Sequence, residues 1–168
     1  MNAKTSPRPK ALLLDDDPTV LRLLGTELLS RGFEVRAAMD ADAGLELLLD
    51  ELLDLDVLVV DRDLPGRDGA SIVRLVREAG GERDLALVLL SDGAGPEDRE
   101  RLLQLGADAV VNRTEGVRAT ADAVAAAAPR RTERALRWLE SAAPAVRDAL
   151  IVAREALSAA SCLAPAAA

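Results

Sequence analysis

The sequence predicts an α/β domain, a doubly wound five-stranded parallel sheet, followed by a C-terminal helical extension. Apolar runs of strand length alternate five times with amphipathic segments of helix length, the pattern of a parallel sheet with helices on both faces. The runs are also continuous rather than alternating. Val57-Leu58-Val59-Val60 reads as a strand covered on both sides. Two of the runs end in carboxylates, at Asp15-Asp16-Asp17 and at Asp61, on the edge where open α/β sheets place their ligands.

Taken in order, residues 1–9 form a short leader with two prolines. Strands are expected at 11–14, 34–38, 56–60, 85–90 and 109–112, and helices at 18–31, 41–53, 67–79, 96–105 and 117–127. In the first helix Val20, Leu21, Leu24 and Leu28 recur at three- and four-residue spacing, which puts them on one face. Gly32 stands where a helix C-cap glycine belongs. Pro65 and Gly66 stop the third strand abruptly. Right-handed crossovers leave the doubly wound sheet as the simplest topology for residues 10–128. Beyond Pro129, residues 129–168 read as a helical extension of two helices split at Pro144. Leu136, Leu139 and Ala143 make one stripe, and Val146, Leu150, Ala153 and Leu157 another. Trp138 reads as a packing residue.

Composition narrows the function. A formal charge of -8 argues against nucleic acid as a direct partner, because phosphate binding needs a basic face. No apolar run approaches the roughly 20 residues of a membrane span, and the first ten residues lack the apolar core of a signal peptide. A single cysteine, Cys162, excludes an internal disulfide and fits a reducing compartment, so a cytoplasmic location is expected. The absence of histidine excludes a phosphohistidine step, a histidine-dependent nucleophile and a His-ligated zinc site within this chain.

The acidic strand ends carry the chemistry. Asp15, Asp16 and Asp61 meet if strands one and three are neighbours, as in the order 2-1-3-4-5, whose ligand site lies at that switch point. Carboxylates so placed repel by roughly 1–4 kcal/mol for each close pair. A hard divalent cation relieves that repulsion, and Mg²⁺ favours a few carboxylates with water and phosphate oxygens. It would also let a phosphoryl group approach Asp61 despite the carboxylate's own charge. Ser91 at the fourth strand's end offers a hydroxyl to a phosphoryl oxygen, and Arg113 places a cation at the end of the fifth.

These motifs together resemble the receiver domain of two-component response regulators, with its flavodoxin-like sheet. The resemblance rests on Leu14-Asp15-Asp16-Asp17-Pro18, Asp61-Arg62-Asp63-Leu64-Pro65-Gly66-Arg67-Asp68-Gly69, Ser91, and Gly106-Ala107-Asp108-Ala109. It implies that Asp61 is the phosphoacceptor and that Asp15, Asp16, Asp61 and the backbone carbonyl of Asp63 hold Mg²⁺. It further implies that Ser91 is the switch hydroxyl and that Arg113 occupies the place of the family's lysine. The partners implied are a histidine kinase or phosphotransfer protein and a downstream protein; a homodimer is compatible with the chain.

Four positions depart from the family pattern. Arg113 replaces lysine, Thr114 the following proline, Val110 the switch aromatic, and Asp92 the small residue after the switch hydroxyl. Arginine is longer, planar and forked, so its exchange for lysine is not conservative at a phosphate site. Asp92 is unfavourable beside a phosphoryl group unless it faces solvent. These departures define the alternative, a pseudo-receiver interaction module working without phosphorylation. A haloacid-dehalogenase-like phosphohydrolase is more remote. Asp61-Arg62-Asp63 resembles its nucleophile motif, but Leu64-Pro65 stands in place of its threonine and the acidic pair precedes the nucleophile.

Overall fold

The computed structural model describes residues 8–51, 55–80 and 85–128; residues 1–7 of the expected leader and the extension 129–168 lie outside the described residues. Within them the order is β1 (Lys10–Leu14), α1 (Pro18–Ser30), β2 (Glu34–Ala38), α2 (Ala41–Glu51), β3 (Val57–Asp61), α3 (Gly69–Gly80), β4 (Ala86–Ser91), α4 (Pro96–Gln104), β5 (Ala109–Asn112) and α5 (Val117–Ala127). A single 3-10 turn, Arg113–Glu115, separates β5 from α5. The sheet has the order β2-β1-β3-β4-β5, with every pairing parallel.

Side-chain alternation along the strands builds two cores. Leu12, Leu14, Leu58, Val60, Leu87, Leu89 and Val110 face one side and pack with Leu48, Ile72, Val73, Val76 and Leu102. Leu13, Val57, Val59, Val88, Leu90 and Val111 face the other and meet Leu24, Leu28, Ala121 and Val124. Most of these side chains are fully buried, and each leucine so removed from water contributes roughly 2 kcal/mol. The edge strand β2 is covered less, in keeping with its mixed sequence Glu-Val-Arg-Ala-Ala.

Local chemistry sets the helix limits. Asp17 caps α1 by accepting a 2.7 Å hydrogen bond from the Thr19 amide, with Pro18 in the first turn. At the other end the Gly32 amide donates to Leu29 O and the Phe33 amide to Leu28 O. With Gly32 at φ +88°, this is a Schellman ending, closed by the buried Leu28 and Phe33. Helix α3 begins at Gly69, two residues later than the expected 67, because the Asp68 carboxylate accepts from the Ala70 amide and so acts as a cap. Strands β3 and β4 each lie one residue later than expected, so both Asp61 and Ser91 are the final residues of their strands.

Candidate functional site: an acidic pocket at the carboxyl edge of the sheet

The edge is assembled by strand register. Strand β3 pairs with β1 on one side and β4 on the other, which brings Asp61 next to the residues that follow Leu14. Asp15, Asp16 and Asp61 each offer a carboxylate oxygen within 4.8 Å of the others. Asp15 and Asp61 are buried and Asp16 is exposed. Ser91 is also buried and lies one register step beyond the Asp61–Leu90 pair. Asp63 is in the turn after β3 with an exposed side chain.

The three consecutive aspartates take different tasks. Asp15 holds the backbone with Oδ1, which accepts a 2.9 Å hydrogen bond from the Asp17 amide. Asp17 uses its carboxylate on the helix cap, and the Thr19 amide holds its pKa below the ordinary value. Asp16 is left facing the pocket's mouth. Asp15 Oδ2 is buried without a hydrogen-bond partner. Burial, aided by the nearby charges of Asp61 and Asp16, outweighs the Asp17 amide and Arg113 and raises its pKa to about 6.

Arg113 reaches further into the pocket than a strand-end cation need do. Its Nη2 lies 2.5 Å from Asp61 Oδ1 and 3.0 Å from Asp15 Oδ2. Its Nε lies 3.6 Å from Asp92 Oδ1. Burial opposes its charge, but the Asp61 hydrogen bond and the Asp15 charge prevail, so the guanidinium's pKa is held above its ordinary value. Asp92 points outward, with its side chain 71% exposed, the orientation that the sequence required of it.

The residues fit a hard cation. The donor set is three carboxylates, and one of its oxygens, Asp15 Oδ2, is buried and lacks a hydrogen bond. Arg113 meets that oxygen with charge at 3.0 Å but without a hydrogen bond, so a hard cation could still take it as a ligand. The loop that carries Asp61 is held equally closely. The Gly69 amide donates to Arg62 O at 2.8 Å, and a Cβ at Gly69 would collide with the Asp61 carbonyl.

Two further pairs, absent from the sequence-based site, tie this edge to α4. Arg62, next after Asp61, forms an ion pair with Asp98. Arg99 donates a 2.5 Å hydrogen bond to the Val110 carbonyl on β5. Nothing in local spacing announces them. Arg62 and Asp98 are 36 residues apart, and only the β3-β4-β5 order makes them neighbours.

With this geometry, the chain belongs to the response regulator receiver domain family, which it matches over residues 11–125. It is thus a receiver domain of two-component response regulators, a signalling module of a kind that interacts with histidine kinases or phosphotransfer proteins and binds Mg²⁺ at an acidic pocket. It is 33% identical over 104 residues to the transcriptional regulatory protein DltR of Streptococcus agalactiae, covering 62% of this chain and 45% of that protein. It is 30% identical over 123 residues to a gliding motility regulatory protein of Myxococcus xanthus, covering 73% of this chain and 16% of that one. The chain therefore spans less than half the length of these curated relatives. DltR is named a transcriptional regulatory protein, so the acidic charge of this chain does not exclude nucleic acid as a partner. Among solved structures, a response regulator receiver domain protein from Clostridium thermocellum superposes with TM-score 0.66 at 21% identity, covering 76% of this chain and 98% of that one. Chemotaxis protein CheY4 of Vibrio cholerae gives 0.65 at 20%, covering 72% and 99%. At these identities the likeness carries the fold. No helix among the described residues is long and apolar enough to cross a membrane.

Proposed function

We propose that this chain is a phosphoacceptor receiver of a two-component phosphorelay, taking one phosphoryl group on Asp61 and signalling through protein–protein contacts. The observation that carries this reading is the convergence of buried Asp15 and Asp61 with Asp16 at one strand-end cluster. Asp15, Asp16, Asp61 and the Asp63 carbonyl would hold Mg²⁺, which supplies charge neutralisation to an incoming phosphoryl group. A carboxylate oxygen of Asp61 attacks phosphorus, the bond to the donor's leaving group breaks, and an acyl phosphate forms on Asp61. The Ser91 hydroxyl and the Arg113 guanidinium then stabilise the phosphoryl oxygens by hydrogen bonding and charge. The donor is a histidine kinase or phosphotransfer protein, since this chain contains no histidine of its own. The setting is the cytoplasm.

Intact-mass measurement after treatment with a small phosphodonor and Mg²⁺ tests the assignment. Wild type should gain one phosphoryl group and Asp61→Asn none. Equal labelling of both, or of neither, removes the phosphoacceptor role. A second reading, a receiver fold docking on partners without a phosphoryl cycle, is favoured by Arg113, which already neutralises Asp61. Absence of labelling with undiminished partner binding would select it. Sustained phosphate-ester turnover, rather than one labelling event, would instead mark a hydrolase.

A further inference from the structure

One nitrogen of Arg113 serves two buried carboxylates at once. Nη2 is 2.5 Å from Asp61 Oδ1 and 3.0 Å from Asp15 Oδ2, and both residues belong to the cluster with cation-binding geometry. A divalent cation and this guanidinium therefore compete for the same carboxylates. Along the same edge of the guanidinium, Nε is buried and makes no hydrogen bond. It faces Asp92 Oδ1 at 3.6 Å, within ion-pair range but too far for a hydrogen bond. One edge of the guanidinium is thus shared between the buried Asp15 and Asp61 at Nη2 and the exposed Asp92 at Nε.

We infer that Arg113 is a resident counter-ion that competes with the divalent cation for Asp15 and Asp61, and that Asp92 is the outer perch that receives the guanidinium when the cation enters. The inference rests on the reading of Asp15, Asp16 and Asp61 as the cation site. It gives the two departures at positions 92 and 113 one joint explanation. A lysine ammonium is a point charge and has no second nitrogen to offer. Arginine's Nε and Nη2 lie along one edge and meet both sets of acids at once, so Arg113 needs only a short swing from one set to the other. Asp92 makes that swing less costly by providing a partner at its far end. Removing Asp92 leaves Arg113 more firmly seated on the cation ligands.

The competition makes the two substitutions move cation affinity in opposite directions. Mn²⁺ titration of the full chain, read as free Mn²⁺ by electron paramagnetic resonance, measures it in wild type, Arg113→Met, Asp92→Asn and the double variant. Arg113→Met should bind Mn²⁺ roughly tenfold more tightly than wild type, and Asp92→Asn several-fold more weakly, on the scale of one close charge contact near a surface. The effect of Asp92→Asn should shrink to less than about twofold in the Arg113→Met background, because its partner is gone. Thermal melts in chelator establish that each variant is folded. Arg113→Lys provides the same test if Arg113→Met does not fold, because the ammonium should lose the dependence on Asp92. Mn²⁺ binding that Arg113→Met leaves equal or weaker overturns the competition. An Asp92→Asn effect of equal size in both backgrounds overturns the perch, since it then reflects only the general attraction of an acidic surface. Failure of wild type and every variant to bind Mn²⁺ removes the cation site and the inference together. Wild-type binding that Asp16→Ala abolishes but Arg113→Met does not improve leaves the site standing and removes the inference alone.

Discussion

Asp15 is held in a place that penalises its charge. Its side chain is only 2% exposed, and burial, followed by the repulsion of Asp61 and Asp16, raises its pKa to about 6 from an ordinary 3.8. The sign of the linkage follows from that direction. Between about pH 4 and 6 the folded chain binds more protons at Asp15 than the unfolded chain, so folding stability falls as pH rises through this window. In chelator at pH 7.5, Asp15→Asn should therefore be more stable than wild type by about 1–3 kcal/mol, with the difference closing below about pH 4. Denaturant titrations at several pH values measure it. Mg²⁺ should reverse the order, because the cation stabilises only a folded chain that keeps its ligands. An Asp15→Asn variant less stable than wild type in chelator at pH 7.5 would show that Arg113 already compensates the buried charge in full.

At the scale of elements, the loop between β3 and α3 is shaped by a close approach. The Gly69 backbone lies against the carbonyl of Asp61, and the atoms that a Cβ would strike there are all main chain, which has little freedom to move aside. Gly69→Ala should cost about 1–3 kcal/mol in thermal or chemical unfolding, the usual penalty for overpacking. It should also slow labelling of Asp61, since two of the three atoms struck belong to that proposed phosphoacceptor. A variant with wild-type stability and labelling rate would show that the loop shifts freely. The glycine was legible in the sequence as part of Asp68-Gly69, but its reason was not, because the contact is with a residue eight positions back. The same limit applies more widely. Periodicity revealed all ten strands and helices because each buries one face or two. It placed α3 two residues early, since a cap depends on where a side-chain oxygen points rather than on hydropathy. Asp15, Asp16 and Asp61 were readable from strand ends and chain order. Arg113's bridge to Asp15 and the Arg62–Asp98 pair were not, because the reach of a long side chain is settled by packing.

At the scale of the whole sheet domain, the site sits where β1, β3, β4 and β5 end, and any signal must leave it through the elements packed beside it. Val110 provides no aromatic ring to change rotamer on β5, and it is fully packed in the core. Helix α4 is meanwhile tied at two points, by Arg62 to Asp98 and by Arg99 to the Val110 carbonyl. Phosphorylation shifts a domain between two packings only through interactions that differ between them. Here the difference has to pass through Ser91 and Arg113 while the two ties restrain α4, so the β4–α4–β5 face should respond little. Hydrogen exchange with and without a beryllofluoride phosphoryl mimic and Mg²⁺ measures this over residues 91–113. Wild type should show small protection changes there. Arg62→Ala should show larger ones, because α4 loses the tie nearest Asp61 while the one at Val110 remains. Residues 130–160, with six arginines against four acids in a chain otherwise rich in acids, are the segment in which the wild-type response should be sought. Large changes throughout 91–113 in wild type would show that the two ties do not restrain α4, and an Arg62→Ala response identical to wild type would show that Arg62 is not one of its restraints.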